Sequence, residues 1–386
     1  MIPFSLASLF LLSLIQIPTP EAALRPNNGF DLYRTPRLRV ILNGQVLVGA
    51  YEAEINSNNH YGANTFGVLV ALGPDEWADA EFWSSETNME VDVQLSTDGG
   101  RNFTSLIQGM ADMASLDPIE KEVHIQGRDL TAALIEAQSQ ETFANRTASE
   151  IATIFAGRHG LAPIVTPTTT PVGRFYESDH EQVMLNSFSR ATSEWDLLVS
   201  LAQQENFNVF VSGNSLYFQP IASPLAIARV IEPADAIELR LERALNLAGQ
   251  VQVTVKSWNT QLQTGFTGQV SGTIAGRSSD MSYGNSPASQ YVLIRPNLTP
   301  DKALAAATQC LSEITRHERT IEFSMPGDLV LAPGNVILLN GTRTDFDQAY
   351  YIDSIRRTFR VKTGFLQHVG ASNSSPRTIT TVGSAS

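Results

Sequence analysis

The alternation of apolar and polar positions changes character several times along this chain. From Arg37 to about Gly127 it keeps the period of two that half-buried strands show. Leu38-Arg39-Val40-Ile41-Leu42 runs into Asn43-Gly44 and then Val46-Leu47-Val48, the pattern of a hairpin closed by a two-residue turn. Between Met89 and Leu95, Met, Val, Val and Leu alternate with Glu, Asp and Gln, and Asp98-Gly99-Gly100 sends the chain back through Phe103 to Met110. Val123-His124-Ile125 closes the stretch. Antiparallel strands joined by such tight turns predict a small barrel or sandwich.

From Arg128 to about Pro220 the period lengthens. Thr147-Ala148-Ser149-Glu150 is a capping box, in which the threonine hydroxyl accepts from the glutamate amide and the carboxylate reaches back. Ile151, Ile154 and Phe155 give the following helix an apolar face, and Gly160 stops it. A second helix is predicted over 192–204, with Trp195, Leu198, Leu201 and Ala202 on one side, followed by a hairpin of 207–211 and 216–218. Together these predict a compact α/β module. Strands return over 226–231, 237–241 and 250–255, and the Gly- and Ser-rich stretch 268–287 predicts a mobile loop. Thr299-Pro300 starts a helix whose buried stripe is Ala303, Leu304, Ala307, Leu311 and Ile314. Strands are then expected at 320–323, 329–331, 336–339 and 350–359, and the Ser/Thr-rich stretch from Ala371 reads as a disordered tail. No repeat of solenoid or propeller length is visible.

At 386 residues the chain has room for two to four domains, at about 150 residues each, and its 42% apolar content supports a sizeable core. A net charge of -13 argues against a general nucleic-acid binder, which needs a basic footprint. The charge is unevenly spread. No Lys or Arg lies between Arg39 and Arg101, where Glu52, Glu54, Asp75, Glu76, Asp79, Glu81, Glu86, Glu90, Asp92 and Asp98 fall; beyond Asp353 stand Arg356, Arg357, Arg360, Lys362 and Arg377 and no acid. Opposed blocks of this kind suit head-to-tail docking between copies or onto neighbours, and equally suit solvated faces of opposite sign. Cys310 is the single cysteine, which excludes an intrachain disulfide and a multi-cysteine metal site; its Ala-rich helical setting predicts a buried structural thiol.

Residues 2–18 form an uncharged apolar run. A secretory signal peptide is one reading of it, against which stand the absence of Lys or Arg ahead of the run and of an A-x-A cleavage pattern around Pro20-Glu21-Ala22-Ala23. A docking arm or a buried N-terminal helix is the other, since the run is short for a membrane span of about 20 residues.

The chemical inventory predicts no catalytic, cofactor-binding or metal site. No H-E-x-x-H, phosphate-binding glycine loop or G-x-S-x-G elbow occurs, and His60, His124, His159, His180, His317 and His368 lack ligand spacing. Ser178-Asp179-His180 has the residue types of a hydrolase triad, but consecutive residues of an extended chain point to opposite faces. Paired carboxylates of a cell-wall or capsule glycoside hydrolase are an alternative, with Glu76 and Glu81 near Trp77 and Trp83 as candidates; a secreted β-rich adhesin or carbohydrate-binding protein is another, favoured only by a processed N-terminus. Ser96-Thr97-Asp98-Gly99-Gly100-Arg101-Asn102-Phe103 resembles the Asp-box of sialidases, a hairpin turn without a catalytic role. The sequons at Asn102, Asn145, Asn297, Asn340 and Asn373 are read as chance.

Three stretches together resemble the phage tail baseplate hub family, which includes the late-control proteins and the hub of Mu-like phages. The first is Gly127-Arg128-Asp129-Leu130-Thr131 with the run from Thr142 through Thr147 to Ala152. The second is Ser193-Glu194-Trp195-Asp196-Leu197-Leu198, leading to Gly213-Asn214-Ser215-Leu216-Tyr217-Phe218. The third runs from Leu331-Ala332-Pro333-Gly334-Asn335-Val336 through Gly341-Thr342 and Tyr351-Ile352-Asp353-Ser354-Ile355 to Phe365. The apolar run before Arg37 is not part of the family pattern.

The resemblance implies an α+β, β-dominated fold: two tail-tube-like β-barrel domains with an intervening α/β module. The expected divisions are an apolar segment or arm (1–35), a first barrel (36–128), the module (129–220), a β-rich segment with a Gly/Ser loop (221–298), a helix plus strands completing the second barrel (299–370) and a flexible tail (371–386). It further implies a non-enzymatic homotrimeric ring without cofactors, joining a tail tube to a central spike, with tape-measure and other baseplate proteins as neighbours. DNA would pass through the ring without specific binding, and the protein would assemble in the host cytoplasm and reside in the virion. An acidic block lining that bore would keep DNA from adhering.

Overall fold

A computed structural model describes residues 35–59, 61–73, 80–138, 141, 143–172, 174–175, 182–184, 193–205, 207–220, 227–244, 251–259, 264–274, 289–295, 298, 300–316, 318–373 and 378–382. The chain divides into two units, Met1–Tyr33 and Arg34–Ser386, and every described residue belongs to the second. The apolar run 2–18, the triplet Ser178-Asp179-His180, Glu76, Trp77, His60 and His317 lie outside the described residues.

The opening strands are β1 (Arg37–Leu42), β2 (Gln45–Leu47), β3 (Ala50–Asn58) and β4 (Thr65–Ala71); a short α1 (Ala80–Ser85) precedes β5 (Glu90–Ser96), β6 (Thr104–Asp117) and β7 (Glu122–Asp129). The hairpin expected at Asn43-Gly44 is present, with Leu42 paired to Gln45 and both turn residues at positive φ. The strands alternate as the sequence does. Val40, Leu42, Ile55, Val68, Val91, Val93, Val123 and Ile125 point into one apolar core.

A module follows, built of α2 (Thr131–Glu136), β8 (Phe143–Ala144), α3 (Ala148–Arg158), β9 (Ala162–Val165), β10 (Arg174–Phe175), β11 (Gln182–Met184), α4 (Glu194–Glu205), β12 (Phe207–Ser212) and β13 (Ser215–Pro220). The capping box forms as expected: Thr147 Oγ1 accepts from Glu150 N, and the Glu150 carboxylate accepts from Thr147 N. Ile151, Phe155, Leu198, Leu201 and Phe218 fill the core of this module.

The remaining elements are β14 (Ile227–Ile231), β15 (Glu238–Arg243), β16 (Val251–Asn259), β17 (Thr264–Ile274), β18 (Ser289–Ile294), α5 (Pro300–Arg316), β19 (Arg319–Pro326), β20 (Val336–Leu339), β21 (Ala349–Arg360), β22 (Gly364–Asn373) and β23 (Thr378–Val382). Ile231, Ile321, Phe323, Ile337, Tyr350, Ile352 and Val369 make a further core.

One 13-stranded sheet carries the core of the opening strands and the core around Tyr350, along the path β15-β19-β22-β21-β3-β4-β7-β6-β5-β1-β2, with β20 and β14 branching from β21. The fold is β-dominated, as expected. Among the described residues the pairing closes neither half into a barrel. The link between the halves is β21. Its first residues pair with β20, as Tyr351 does with Val336; past a bulge at Asp353 the same edge pairs with β3, from Ser354 opposite Asn58 to Arg360 opposite Glu52. Leu95, Phe359 and Phe365 form a small apolar bridge across the junction.

Four expectations differ from what is found. Within the stretch 268–287 read as a loop, 268–274 lies in β17, and the tail read from Ala371 carries the end of β22 and then β23, which pairs with β17 from Val382↔Val270 to Thr378↔Ile274. Both stretches are rich in glycine, serine or threonine, and pairing supplies what local pattern does not: β17 is laddered to β16 as well as to β23, and the end of β22 to β19 and β21. Residues 329–331 are loop, although Leu331 is buried. Helix α5 packs on β16 rather than on the strands it precedes, with Ala303, Ala307 and Leu311 against Val253 and Val255.

Candidate functional site

The three stretches that carry the resemblance fold into anchors between elements. Gly127 stands where β6 and β7 approach at a bulge; a Cβ there would lie 2.2 Å from the Met110 carbonyl oxygen, so no other residue fits. Asp129, two positions on, accepts from Asn64 N at 3.1 Å, Asn64 Nδ2 at 2.7 Å and Thr131 N at 3.0 Å, tying the β3–β4 loop to the start of α2. Burial outweighs these donors and raises its carboxyl above the ordinary carboxylate range.

Glu194 begins α4 and is buried; its carboxylate accepts from Arg158 and, at 2.7 Å, faces His159 Nε2 at the end of α3. Trp195 Nε1 donates to the Tyr61 carbonyl at 2.6 Å, fastening the module to the β3–β4 loop. In the third stretch, Gly334 takes positive φ, and the Gly334 and Asn335 backbone bonds Ile352 on β21. These residue types serve packing, capping and register.

The face of the sheet turned away from the cores runs across both halves. In register across eight strands stand Glu238, Ser324, His368, Arg356, Asn56, Thr65, Arg128 and Met110. A neighbouring row holds Thr358, Glu54, Gly67, Gln126 and Met113. Between β3, β4, β7 and β6 this face dips into a cavity of about 590 Å³. Arg128 bridges its rim, donating to Asp112 at 2.7 Å and to Glu136 at 2.5 Å. Those carboxylates push its guanidinium pKa still higher.

The charge blocks separated in sequence meet on this face. Arg360 donates to Glu52 at 2.6 Å across the β21–β3 ladder, so part of the basic block is engaged within the chain by the acidic one. Strand pairing thus brings part of each block into one sheet. Tyr51 on β3 donates its hydroxyl to Glu122 on β7 at 2.6 Å and is pushed up to about 12.

The core face of β21 is different. Arg357 is buried between Ile355 and Phe359, and burial, opposed by nearby Asp328, pulls it down to about 10. It donates to the carbonyls of Leu331 and, at 3.3 Å, Asp328. The Asp328 carboxylate takes Arg229 as its own partner. Opposite Arg357 on β22 lies Gln367, buried, with both amide atoms unpartnered.

Other candidates disperse. Glu81 sits in the first turn of α1, while Trp83 is buried in the first core against Phe82. His124 lies on the outward row of β7, His159 on Glu194, and His368 3.0 Å from Ser324 Oγ. Among the described residues no group of three His, Cys, Asp or Glu is placed to hold a metal. Cys310 is partly buried. In the Asp-box-like turn, Asp98 accepts from Ser96 Oγ, Arg101 N, Asn102 N and Asn102 Nδ2, which holds its carboxyl well below the usual range in a hairpin turn. The sequence signals that mattered were the Asp129, Glu194 and Asn335 neighbourhoods; Arg357 entered only as part of the basic block and Gln367 not at all, and nothing marked either as buried on the facing strands β21 and β22.

No family model matches this chain, and no curated protein matches it. Solved structures do. A tail protein from Neisseria meningitidis MC58 is 11% identical with a TM-score of 0.65, covering 88% of this chain and 96% of its own. The 43 kDa tail protein of prophage MuSo2 from Shewanella oneidensis is 15% identical with a TM-score of 0.64, covering 87% and 98%. Prophage tail protein gp18 from Listeria monocytogenes EGD-e is 11% identical with a TM-score of 0.55, covering 88% and 95%. The fold of this chain is similar to that of these tail proteins over 87–88% of its length.

Proposed function

We propose that the chain is a structural hub subunit of a phage tail baseplate or a related contractile injector, working by shape and interface without turnover. Three copies form a ring that joins the tail tube to the central spike and lets DNA pass. The observation that carries the reading is the end-to-end likeness to two tail proteins, 96% and 98% of whose lengths are covered. Each chain contributes two halves of one sheet, each over its own apolar core, so three chains present six such halves to a sixfold tube and three chains to a threefold spike.

The outward rows of the sheet suit a channel wall. They are mostly polar, with acids such as Glu238 and Glu54 beside Arg356 and Arg128, and Arg128 and Arg360 are already engaged by carboxylates, which weakens their hold on phosphate. The partners on this reading are the tube, tape-measure, spike and other baseplate proteins, in the virion, after assembly in the host cytoplasm. Mass photometry of the purified protein is expected to show a three-chain species, and cryo-electron microscopy a ring with an open bore. A monomer at every concentration, or release of sugar from peptidoglycan lost on Glu81→Gln, overturns the reading.

A further inference from the structure

Arg357 and Gln367 leave three polar atoms unused by the roles described so far. Arg357 on β21 stands opposite Gln367 on β22, which in turn stands opposite Met325 on β19. The rows on either side are apolar: Phe359 opposite Phe365, and Ile355 in line with Val369 and Phe323. Arg357 is 4% and Gln367 1% exposed. Arg357 donates through Nη2 to the Asp328 and Leu331 carbonyls, yet among the described residues its Nε–H meets no acceptor. Neither Nε2 nor Oε1 of Gln367 meets a partner there either.

Chemistry narrows what can meet these atoms. Burying an amide or a guanidinium N–H without a hydrogen bond is costly, and here the two sit side by side. The apolar rows offer them nothing, the sulfur of Met325 is a weak acceptor, and the Asp328 carboxylate is held by Arg229. A bound anion would accept from the two N–H groups and leave Gln367 Oε1 without a donor. A bound cation would lie against a guanidinium. Turning the amide over exchanges its ends and leaves both needs in place. Water both accepts and donates, and it is small enough for a packed core.

We propose that Arg357 and Gln367 hold an internal water site in the second half of the sheet, with at least one ordered water accepting from Arg357 Nε–H and donating to Gln367 Oε1. Side chains directly opposite each other on antiparallel strands have Cβ atoms about 5 Å apart, which puts both polar heads within reach of one bridging water. The water belongs to one register. A slip of β21 along β22 by two residues sets Arg357 opposite Phe365 or Val369 and takes one polar wall from the site. The site lies on the stretch of β21 laddered to β3, where Arg357 pairs with Ile55, and it does not depend on the ring reading.

A crystal structure of the full chain at about 1.5 Å resolution is expected to show an ordered peak about 2.7–3.2 Å from both Arg357 Nε and the Gln367 amide. A site without that peak overturns the proposal. Crystals grown in sodium bromide separate water from an anion: an anomalous peak at the site overturns it too. In solution, Gln367→Met keeps the side-chain length and removes the amide, and the sign of its effect is the readout. With the water in place, the variant strands Arg357 Nε–H, and the unfolding constant from denaturant titration is expected to rise about 5- to 100-fold. Were the amide dry, removing it would relieve the core, so an unchanged or lower constant overturns the site. Should Gln367→Met fail to fold, the wild-type crystal decides alone.

Discussion

The two halves of the long sheet are built on different principles. The first wraps a core in which every clustered buried side chain is apolar, from Val40 to Ile125. The second, beside an equally apolar cluster, buries Arg357, Asp328 and Gln367 at the junction and Arg319 and Glu318 at the other end. Alternating valines and isoleucines fit a neighbouring strand nearly as well after a slip of two residues, since such a slip keeps every side chain on its face. Arg357 has no such freedom, because its hydrogen bonds go to the Leu331 and Asp328 carbonyls. The half that must fix where β21 changes partner is the half that buries arginines; the first half buries one carboxyl, Asp129, at the very end of β7. A buried charge is poor at adding stability and expensive to leave unpaired, which gives it value as a marker of register.

Four measurements would break or sharpen this contrast. The largest effect is expected from Asp328→Ala, which strips Arg229 of its partner and leaves Arg357 more deeply uncompensated: a loss of about 3–5 kcal/mol in denaturant unfolding. A loss under about 1 kcal/mol would mean that the junction charges are solvated. In the first half, Ile125→Val shaves the apolar core and is expected to cost only about 0.5–1.5 kcal/mol by the same method.

The third concerns pH. Burial raises the folded-state pKa of Asp129, so its contribution to stability is complete below the unfolded carboxylate range and is lost as pH rises through the folded value. Asp129→Asn keeps an acceptor for Asn64 and removes the titration. The stability of the variant relative to wild type is therefore expected to improve steadily as pH rises above about 4, and parallel pH profiles would refute the assignment. The smallest effect belongs to Arg360→Ala: the Arg360–Glu52 pair lies on the exposed face, and the melting temperature is expected to stay unchanged.

Much of this was legible in the sequence, and unevenly. The Asn43-Gly44 hairpin, the Thr147 capping box and the Pro300 helix start each depend on residues within four positions of one another, and each forms where the pattern placed it. Pairings set by distant chain segments were not legible. Arg360 and Glu52 are 308 positions apart, and nothing near either says that the basic and acidic blocks share a ladder. Threonine and glycine in β17 and β23 carry no amphipathic signal; β17 is held as a strand by its ladders to β16 and β23, and β23 by its ladder to β17. At the anchors, Asp129, Glu194 and Trp195 were singled out by resemblance, but their work as ties between loop, strand and helix needed the geometry.

The partner exchange at Asp353 has a mechanical consequence. Because β21 is a single covalent strand laddered first to β20 and then to β3, with β22 along its other edge, tension on one half reaches the other without crossing a hinge. A pull along the strand must shear many hydrogen bonds together instead of unzipping them singly, so the subunit transmits strain as a stiff strut.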